Sequence, residues 1–312
     1  MTGRLPAAIS SRLRLPMVAA PMFLVSGPDL VLAACKAGII GSFPFPNARS
    51  TADLRLWLDR LKAELGPGDA PWAANLMVHP TYARLDDEIA LVAEYQPEIV
   101  ITALGSPRRM VEVVHGYGGI VLADVNSPAF ARKAVAAGVD GLVLVAAGAG
   151  GHTGPMSPFA FVAEVRGYFD GIVALAGSLA TGRAVRAAQV LGADLGYVGT
   201  PFIAAEESLA QPAYRQMLVQ AGFDDILLTD AFTGVKANML IPAIRAAGLD
   251  PAALRPKDRV EIGDPQGSTK AWKNIWSAGH GVGSVTAVEP AAAIVDRFAR
   301  DYAAAVAEGR RG

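Results

Sequence analysis

One cysteine in 312 residues, Cys35, excludes an internal disulfide framework and suits a reducing compartment. Charge is also scarce. Only 18 % of residues are charged, and 28 basic against 29 acidic side chains leave a net charge of −1. That balance gives no electrostatic footprint for nucleic acid or another polyanion. No stretch reaches the roughly 18 apolar residues needed to cross a bilayer. The segment 1–16 carries Arg4, Arg12 and Arg14 but lacks the continuous apolar run of a signal peptide. The four histidines, His79, His115, His152 and His280, are far apart and have no carboxylates at ligand spacing, so no metal site is expected. Low-complexity tracts are absent. These absences describe a soluble, cytoplasmic protein with no nucleic-acid or membrane partner; a homo-oligomer is compatible with them.

What is present is apolar: 52 % of the chain is hydrophobic, enough to bury a large core. Eight short apolar runs recur at strand–helix intervals: Met17–Pro21, Ile39–Phe43, Trp72–Val78, Ile99–Leu104, Gly119–Val125, Gly141–Val145, Gly171–Ala176 and Leu195–Gly199. Between them lie amphipathic patterns such as Asp53–Leu61 and Ala129–Ala137, with apolar residues at helical spacing and charges opposite. Near-continuous apolar strands alternating with such helices imply a parallel sheet covered on both faces. Eight units predict an α/β fold of the (β/α)8 barrel type. The alternative is an open doubly wound sheet, but no G-x-G-x-x-G follows the first strand, where Ala20-Pro-Met-Phe-Leu-Val-Ser-Gly27 stands.

After the eighth strand the pattern changes. Residues 206–285 read as a mostly helical lid inserted over the barrel mouth, with helices over Ser208–Gln220 and Ala237–Ala247. Residues 1–205 and 286–312 then form the barrel, which Pro290–Glu308 closes as a helix. Cys35, in the small-residue stretch 32–38, reads as core.

Active sites of such barrels lie at the C-terminal strand ends. The stretch Ala146-Ala-Gly-Ala-Gly-Gly-His-Thr-Gly154 follows the sixth strand, and four of its nine residues are glycine. Backbone can approach a flat ligand closely there. His152 supplies an acid–base group with an ordinary pKa of about 6.5. The strand ends Ala174-Leu-Ala-Gly-Ser-Leu-Ala-Thr-Gly182 and Gly196-Tyr-Val-Gly-Thr-Pro-Phe202 present small residues and hydroxyls. Loops after the seventh and eighth strands are the recurrent phosphate cup of this fold; ordinary strand-ending turns are the other reading.

Pro16-Met-Val-Ala-Ala-Pro-Met22, the Gly-Ala-Gly-Gly-His-Thr-Gly segment ending at Gly154, Ala176-Gly-Ser-Leu-Ala-Thr-Gly182, Gly199-Thr-Pro-Phe202 and the late Trp276-Ser-Ala-Gly-His-Gly-Val-Gly283 occur in this order. In these motifs the chain resembles the nitronate monooxygenase family, formerly 2-nitropropane dioxygenase, whose members are FMN-binding barrels with a small lid. The resemblance implies FMN as cofactor. Ala20, Pro21 and Met22 would lie against the isoalloxazine ring, and Asn75 would bond its polar edge. Ala149, Gly150 and Gly151 would let the loop pass close to the flavin. Gly177, Ser178, Gly199 and Thr200 would hold the phosphate. His152 would face the substrate as catalytic base, with Ser277 and His280 as further substrate contacts.

The resemblance further implies oxidation of alkyl nitronates such as propionate 3-nitronate, or of nitroalkanes, with O2, to carbonyl compounds and nitrite. The same family includes FMN-dependent NAD(P)H:quinone and enoyl-thioester reductases, which is the alternative; a flavin-free barrel lyase or isomerase is a third reading. Four positions depart from the family pattern. Gly148 replaces a glutamate common in relatives, Ser178 a glycine, and His280 a glutamine. Asp124, also expected against the cofactor, stands where some relatives have lysine. Of the remaining residues, His79, His115 and Lys236 read as surface groups, and Trp272 and Trp276 as lid core.

Overall fold

The computed structural model describes residues 4–257 and 275–310. Eight parallel strands close into a barrel: β1 Met17–Ala19, β2 Ile40–Pro44, β3 Trp72–Met77, β4 Ile99–Ala103, β5 Ile120–Val125, β6 Gly141–Val145, β8 Ile172–Ala176 and β9 Leu195–Val198. β1 closes the ring by pairing with both β2 and β9, Val18 standing opposite Ile40 and Tyr197. Every expected strand is present, because continuous apolar runs of five or so residues bury both faces of a parallel strand. One face fills the barrel interior with Val18, Ile40, Ala73, Ile99, Ile101, Leu122, Val143, Ile172, Ala174 and Leu195. The other packs on the helices, where Cys35 lies fully buried and burial pushes its thiol up to about 12.

Local chemistry sets the helix starts. Ser50, Ser127 and Thr181 accept hydrogen bonds from the backbone N–H groups of Asp53, Phe130 and Ala184, satisfying donors that a helix leaves unpaired. Pro28, Pro128 and Pro158 occupy first-turn positions, where a missing N–H costs nothing. The last helix, Ala291–Glu308, buries Ile294, Val295 and Phe298 against the barrel. It can approach because residue 182 is glycine; a Cβ there would stand 1.9 Å from the Phe298 carbonyl oxygen.

The segment after β9 differs from the helical expectation in one consequential way. Ala237–Leu240 is a strand, β11, and the helix begins only at Ile241 and ends at Ala246. A helix over Ala237–Ala247 would place Pro242 in its interior, where the ring removes a hydrogen bond and clashes. Proline is instead accommodated in the first turn. For the same reason the preceding helix starts at Pro212, not Ser208. β11 pairs antiparallel with β10, Ile226–Thr229, and with β7, the dipeptide Gly151–His152. Trp276 stacks on Tyr214 at 4.9 Å between ring centroids; Trp272 lies outside the described residues. Among the described residues no helix is long and apolar enough to cross a membrane.

Candidate active site

A cavity of about 900 Å³ opens at the C-terminal strand ends. Ala20, Pro21, Met22, Asn75, Asp124, Ala149, Gly150, Gly151, His152, Gly177, Ser178, Gly199, Thr200 and Ser277 all line it. Residues spread over more than 250 positions of sequence therefore share one wall.

The loop after β1 is pinned from within. Asn47 donates to the carbonyls of Met22 (2.9 Å) and Ser26 (2.7 Å) and accepts from the Leu24 N–H (2.9 Å). Leu24 is thereby held at φ +59°, a region that side-chain-bearing residues rarely adopt. Ser26 accepts from the Met22 N–H at 3.0 Å. Across the mouth, a Cβ on Gly199 would stand 3.4 Å from the Met22 sulfur, so the wall between β1 and β9 is bare but closely set.

The glycine-rich loop is fixed by contacts at both ends. Thr153 donates its hydroxyl to the Ala146 carbonyl (2.9 Å) and its N–H to the Lys236 carbonyl (3.1 Å). Asn238, on β11, donates its side-chain amide to the Ala149 carbonyl at 2.7 Å. The register sets Ala237 opposite His152 and Asn238 opposite Gly151. The histidine thus sits on a strand whose partner comes from beyond the barrel.

The His152 ring is open to the cavity but surrounded by protein, and that burial holds its pKa below 6.5. Its Nε2 lies 3.1 Å from the Thr233 hydroxyl. The same hydroxyl lies 3.1 Å from the Val235 carbonyl oxygen. When its proton goes to that carbonyl, it accepts from an Nε2–H of His152, and the neutral ring then carries its lone pair on Nδ1.

Gly148, Ser178 and His280, three of the four positions read from the sequence as departures from the family pattern, meet. A Cβ on Gly148 would stand 2.1 Å from the Ser178 Oγ and 3.0 Å from the His280 Nδ1. Gly148 is at φ +87° and Ser178 at φ +60°. The Gly148 carbonyl accepts from the His280 N–H at 3.0 Å. Ser178 and His280 thus fill the space that a side chain at 148 would need. The His280 ring packs edge-on against Phe223 at 5.1 Å, and Gly279 and Gly281 on either side of it line the cavity in its place. His280, expected from the sequence as a substrate contact, is thus not among the described residues that line the cavity. Ser277 does line the cavity, and its carbonyl accepts from the Tyr214 hydroxyl at 2.5 Å. Thr200 accepts from the Gly279 N–H at 2.9 Å, tying the late segment to β9.

Other histidines lie elsewhere. His115 pairs with Asp140 at 2.9 Å, and His79 bonds Thr81 at 2.7 Å. Lys236 is exposed. Among the described residues no group of His, Cys, Asp and Glu could hold a metal.

Sequence reasoning missed Thr233, Asn47 and Tyr197. The first two act across 81 and 21 to 25 residues, which no local pattern reveals. Tyr197 was accessible: it stands two residues beyond Leu195, on the inward face of a strand.

The family model described as nitronate monooxygenase matches residues 8–297. The chain belongs to the nitronate monooxygenase family. A nitronate monooxygenase of Pseudomonas aeruginosa is 30 % identical over 271 residues, covering 72 % of this chain and 76 % of that protein. The "(3aS,4S,5R,7aS)-5-hydroxy-7a-methyl-1-oxo-octahydro-1H-indene-4-carboxyl-CoA dehydrogenase" of Mycobacterium tuberculosis is 27 % identical over 229 residues, 72 % of this chain but only 62 % of that longer protein. Among solved structures, nitroalkane oxidase from Streptomyces ansochromogenes superposes with a TM-score of 0.82 at 25 % identity, covering 97 % of this chain and 99 % of that one. Membership assigns the chain to a family of oxidoreductases.

Proposed function

We propose that the protein is an FMN-dependent enzyme that oxidises alkyl nitronates, such as propionate 3-nitronate, or small nitroalkanes with O2, releasing a carbonyl compound and nitrite. The observation that carries this reading is His152, an imidazole with a lowered pKa that is anchored by Thr233 and faces a glycine-walled cavity.

The cavity suits a flat, phosphate-bearing heterocycle. Its wall is bare at Ala20, Gly150, Gly177 and Gly199, and among the described residues the Asp124 Oδ1 and the Tyr197 hydroxyl in it lack hydrogen-bond partners. Gly177, Ser178, Gly199 and Thr200 would take the phosphate, while Ala20, Pro21, Met22 and Asn75 would border the ring. FMN, when bound, supplies electron acceptance and the reaction with O2. The chain supplies the rest. Nδ1 of His152 takes the α-proton of a nitroalkane, a positioned-base effect worth about 10²- to 10⁴-fold. The depressed pKa keeps the ring in its basic form at neutral pH. Thr233 holds the ring by its other nitrogen, and the closed strand β7–β11 keeps it aimed at the cavity.

A second reading, an NAD(P)H-dependent reductase acting on an enoyl thioester or quinone, draws support from the size of the site. About 900 Å³ is near the top of the range of roughly 300–1,000 Å³ for small-molecule sites. The cavity also reaches Leu104 and Phe130, both substantially exposed, and Lys133. The deciding experiment is anaerobic mixing of the purified protein with propionate 3-nitronate, and separately with NADH, while flavin absorbance is followed. Loss of the oxidised flavin band with the nitronate alone supports the first reading. Bleaching by NADH with indifference to nitronate supports the second.

A further inference from the structure

Two polar atoms in the cavity wall are left over. The Asp124 Oδ1 and the Tyr197 hydroxyl are buried and have no hydrogen-bond partner among the described residues. Their neighbours in the wall are satisfied. Asn75 donates to the Ile101 carbonyl (3.2 Å), Thr102 to the Leu122 carbonyl (3.3 Å) and Thr153 to the Ala146 carbonyl (2.9 Å). An unsatisfied buried polar group costs about 1–3 kcal/mol, and native proteins retain few of them. Two in one cavity point to something that arrives from outside the chain.

Strand alternation says where they face. Leu122 and Leu195 fill the barrel interior; Asp124 and Tyr197 are the next inward positions on β5 and β9, and both line the cavity. Burial pushes the Asp124 carboxyl up to about 7 and the Tyr197 hydroxyl well above its ordinary value, the Asp124 charge adding to the latter. The only lysines among the described lining residues are Lys133 and Lys257; neither forms an ion pair with Asp124. Below about pH 7 both groups therefore carry O–H bonds, and both can donate.

We propose that Asp124, as a neutral carboxylic acid, and Tyr197 form a two-donor clamp for the acceptor edge of the flat ligand in the barrel mouth. The inference rests on the flavin reading, in which the acceptors are carbonyl oxygens or ring nitrogens of the isoalloxazine. The clamp satisfies the acceptor edge without placing a full charge, of either sign, beside the ring. A carboxylate at the same place would do the opposite: its negative charge would oppose electron entry into the ring and lower the flavin midpoint potential.

Two readouts besides turnover test this, on full-length protein stripped of flavin and titrated with FMN. Tyr197→Phe and Asp124→Leu each remove one donor and raise the FMN Kd about tenfold, equivalent to about 1.4 kcal/mol. Asp124→Asn keeps a neutral donor of the same shape, so Kd stays near the wild-type value and the midpoint potential of bound flavin is unchanged. A marked rise in potential in Asp124→Asn would show that a negative charge had been removed, and the neutral-acid assignment would fall. Wild-type Kd in both Tyr197→Phe and Asp124→Leu would show that the pair does not touch the ligand. If the wild-type protein itself binds no FMN, the flavin reading fails first, and the clamp with it. Tyr197→Phe and Asp124→Asn are near-isosteric, so both should fold, and cooperative thermal melts no less stable than wild type should show it.

Discussion

Leu122 and Asp124 stand two residues apart on one strand and point the same way, as do Leu195 and Tyr197. Yet the lower pair is packed among Val18, Ile40, Ile101 and Val143, while each of the upper pair has a polar atom without a hydrogen-bond partner among the described residues. The same step separates Val18 from Ala20 and Ala73 from Asn75. One layer of the barrel is closed by its own side chains. The next, one residue pair further along, is left bare or polar and open to a cavity. In a parallel barrel, stability and binding are therefore stacked along the strand axis, and a single period-2 step moves from one to the other.

The sharpest way to break that comparison is to cut into both layers of one strand. Leu122 is 1 % exposed, and Leu122→Ala should cost about 2–5 kcal/mol through lost burial and a residual cavity. Asp124→Leu, two residues on, should leave the ligand-free protein as stable as wild type or more so, because it removes a buried acid without a partner. Chemical denaturation of both variants measures this. Equal destabilisation would mean that the rim is as much core as the layer below it.

At the rim the expected losses are in rate. His152→Ala should slow oxidation of a neutral nitroalkane by about 10²- to 10⁴-fold and leave the melting temperature near wild type. With a preformed nitronate no α-proton has to be removed, so the loss should be much smaller. Steady-state assays on the two substrate forms separate these outcomes; equal losses on both would remove the base from the mechanism.

Gly148→Ala probes the contact between the two departures from the family pattern that face it. The new Cβ meets the Ser178 Oγ, and φ +87° adds strain of its own. We expect a loss of at least about 1 kcal/mol. In a Ser178→Gly background the steric part should disappear and only the backbone part remain, which a double-mutant cycle of melting data resolves.

The strands of the barrel were legible because long apolar runs of β-branched residues bounded by glycine and proline have few other readings. The glycine-rich loop and His152 were legible because small residues concentrated at a strand end have no packing purpose. Ala237–Leu240 was not: the run Ala-Asn-Met-Leu fits a helix or a strand equally, and only the consequence of Pro242 separates them. Nor was the place of His280 readable, since its flanking glycines reach the cavity while its ring turns to Phe223. Contacts such as Thr233 with His152 depend on a fold-level pairing and leave no trace in either local segment.

Titration gives a smaller, signed test of the polar layer. The Asp124 pKa is about 7 in the folded chain against an ordinary 3.8. Between these values the native state keeps a proton that the unfolded chain gives up, so stability of the flavin-free protein falls as pH rises from about 4 to 7. Asp124→Asn should flatten that part of the profile. His152 acts oppositely: its lowered pKa means that the unfolded chain protonates first, so its contribution is lost as pH drops below 6.5.

The smallest effect expected is at Thr233, which lines the cavity beside His152. Its hydroxyl lies 3.1 Å from Nε2 and 3.1 Å from the Val235 carbonyl oxygen, so Thr233→Val removes the contact that favours one tautomer. Both tautomers then compete, and only one carries the lone pair on Nδ1. The rate on a neutral nitroalkane should fall about fivefold, in line with roughly 1 kcal/mol for one hydrogen bond. Thr233→Ser keeps the hydroxyl and should recover most of it. The pH profile distinguishes positioning from mere support of the fold. Without the Thr233 contact the imidazole changes its apparent pKa in Thr233→Val, whereas a structural defect would lower the plateau and leave the midpoint where it was.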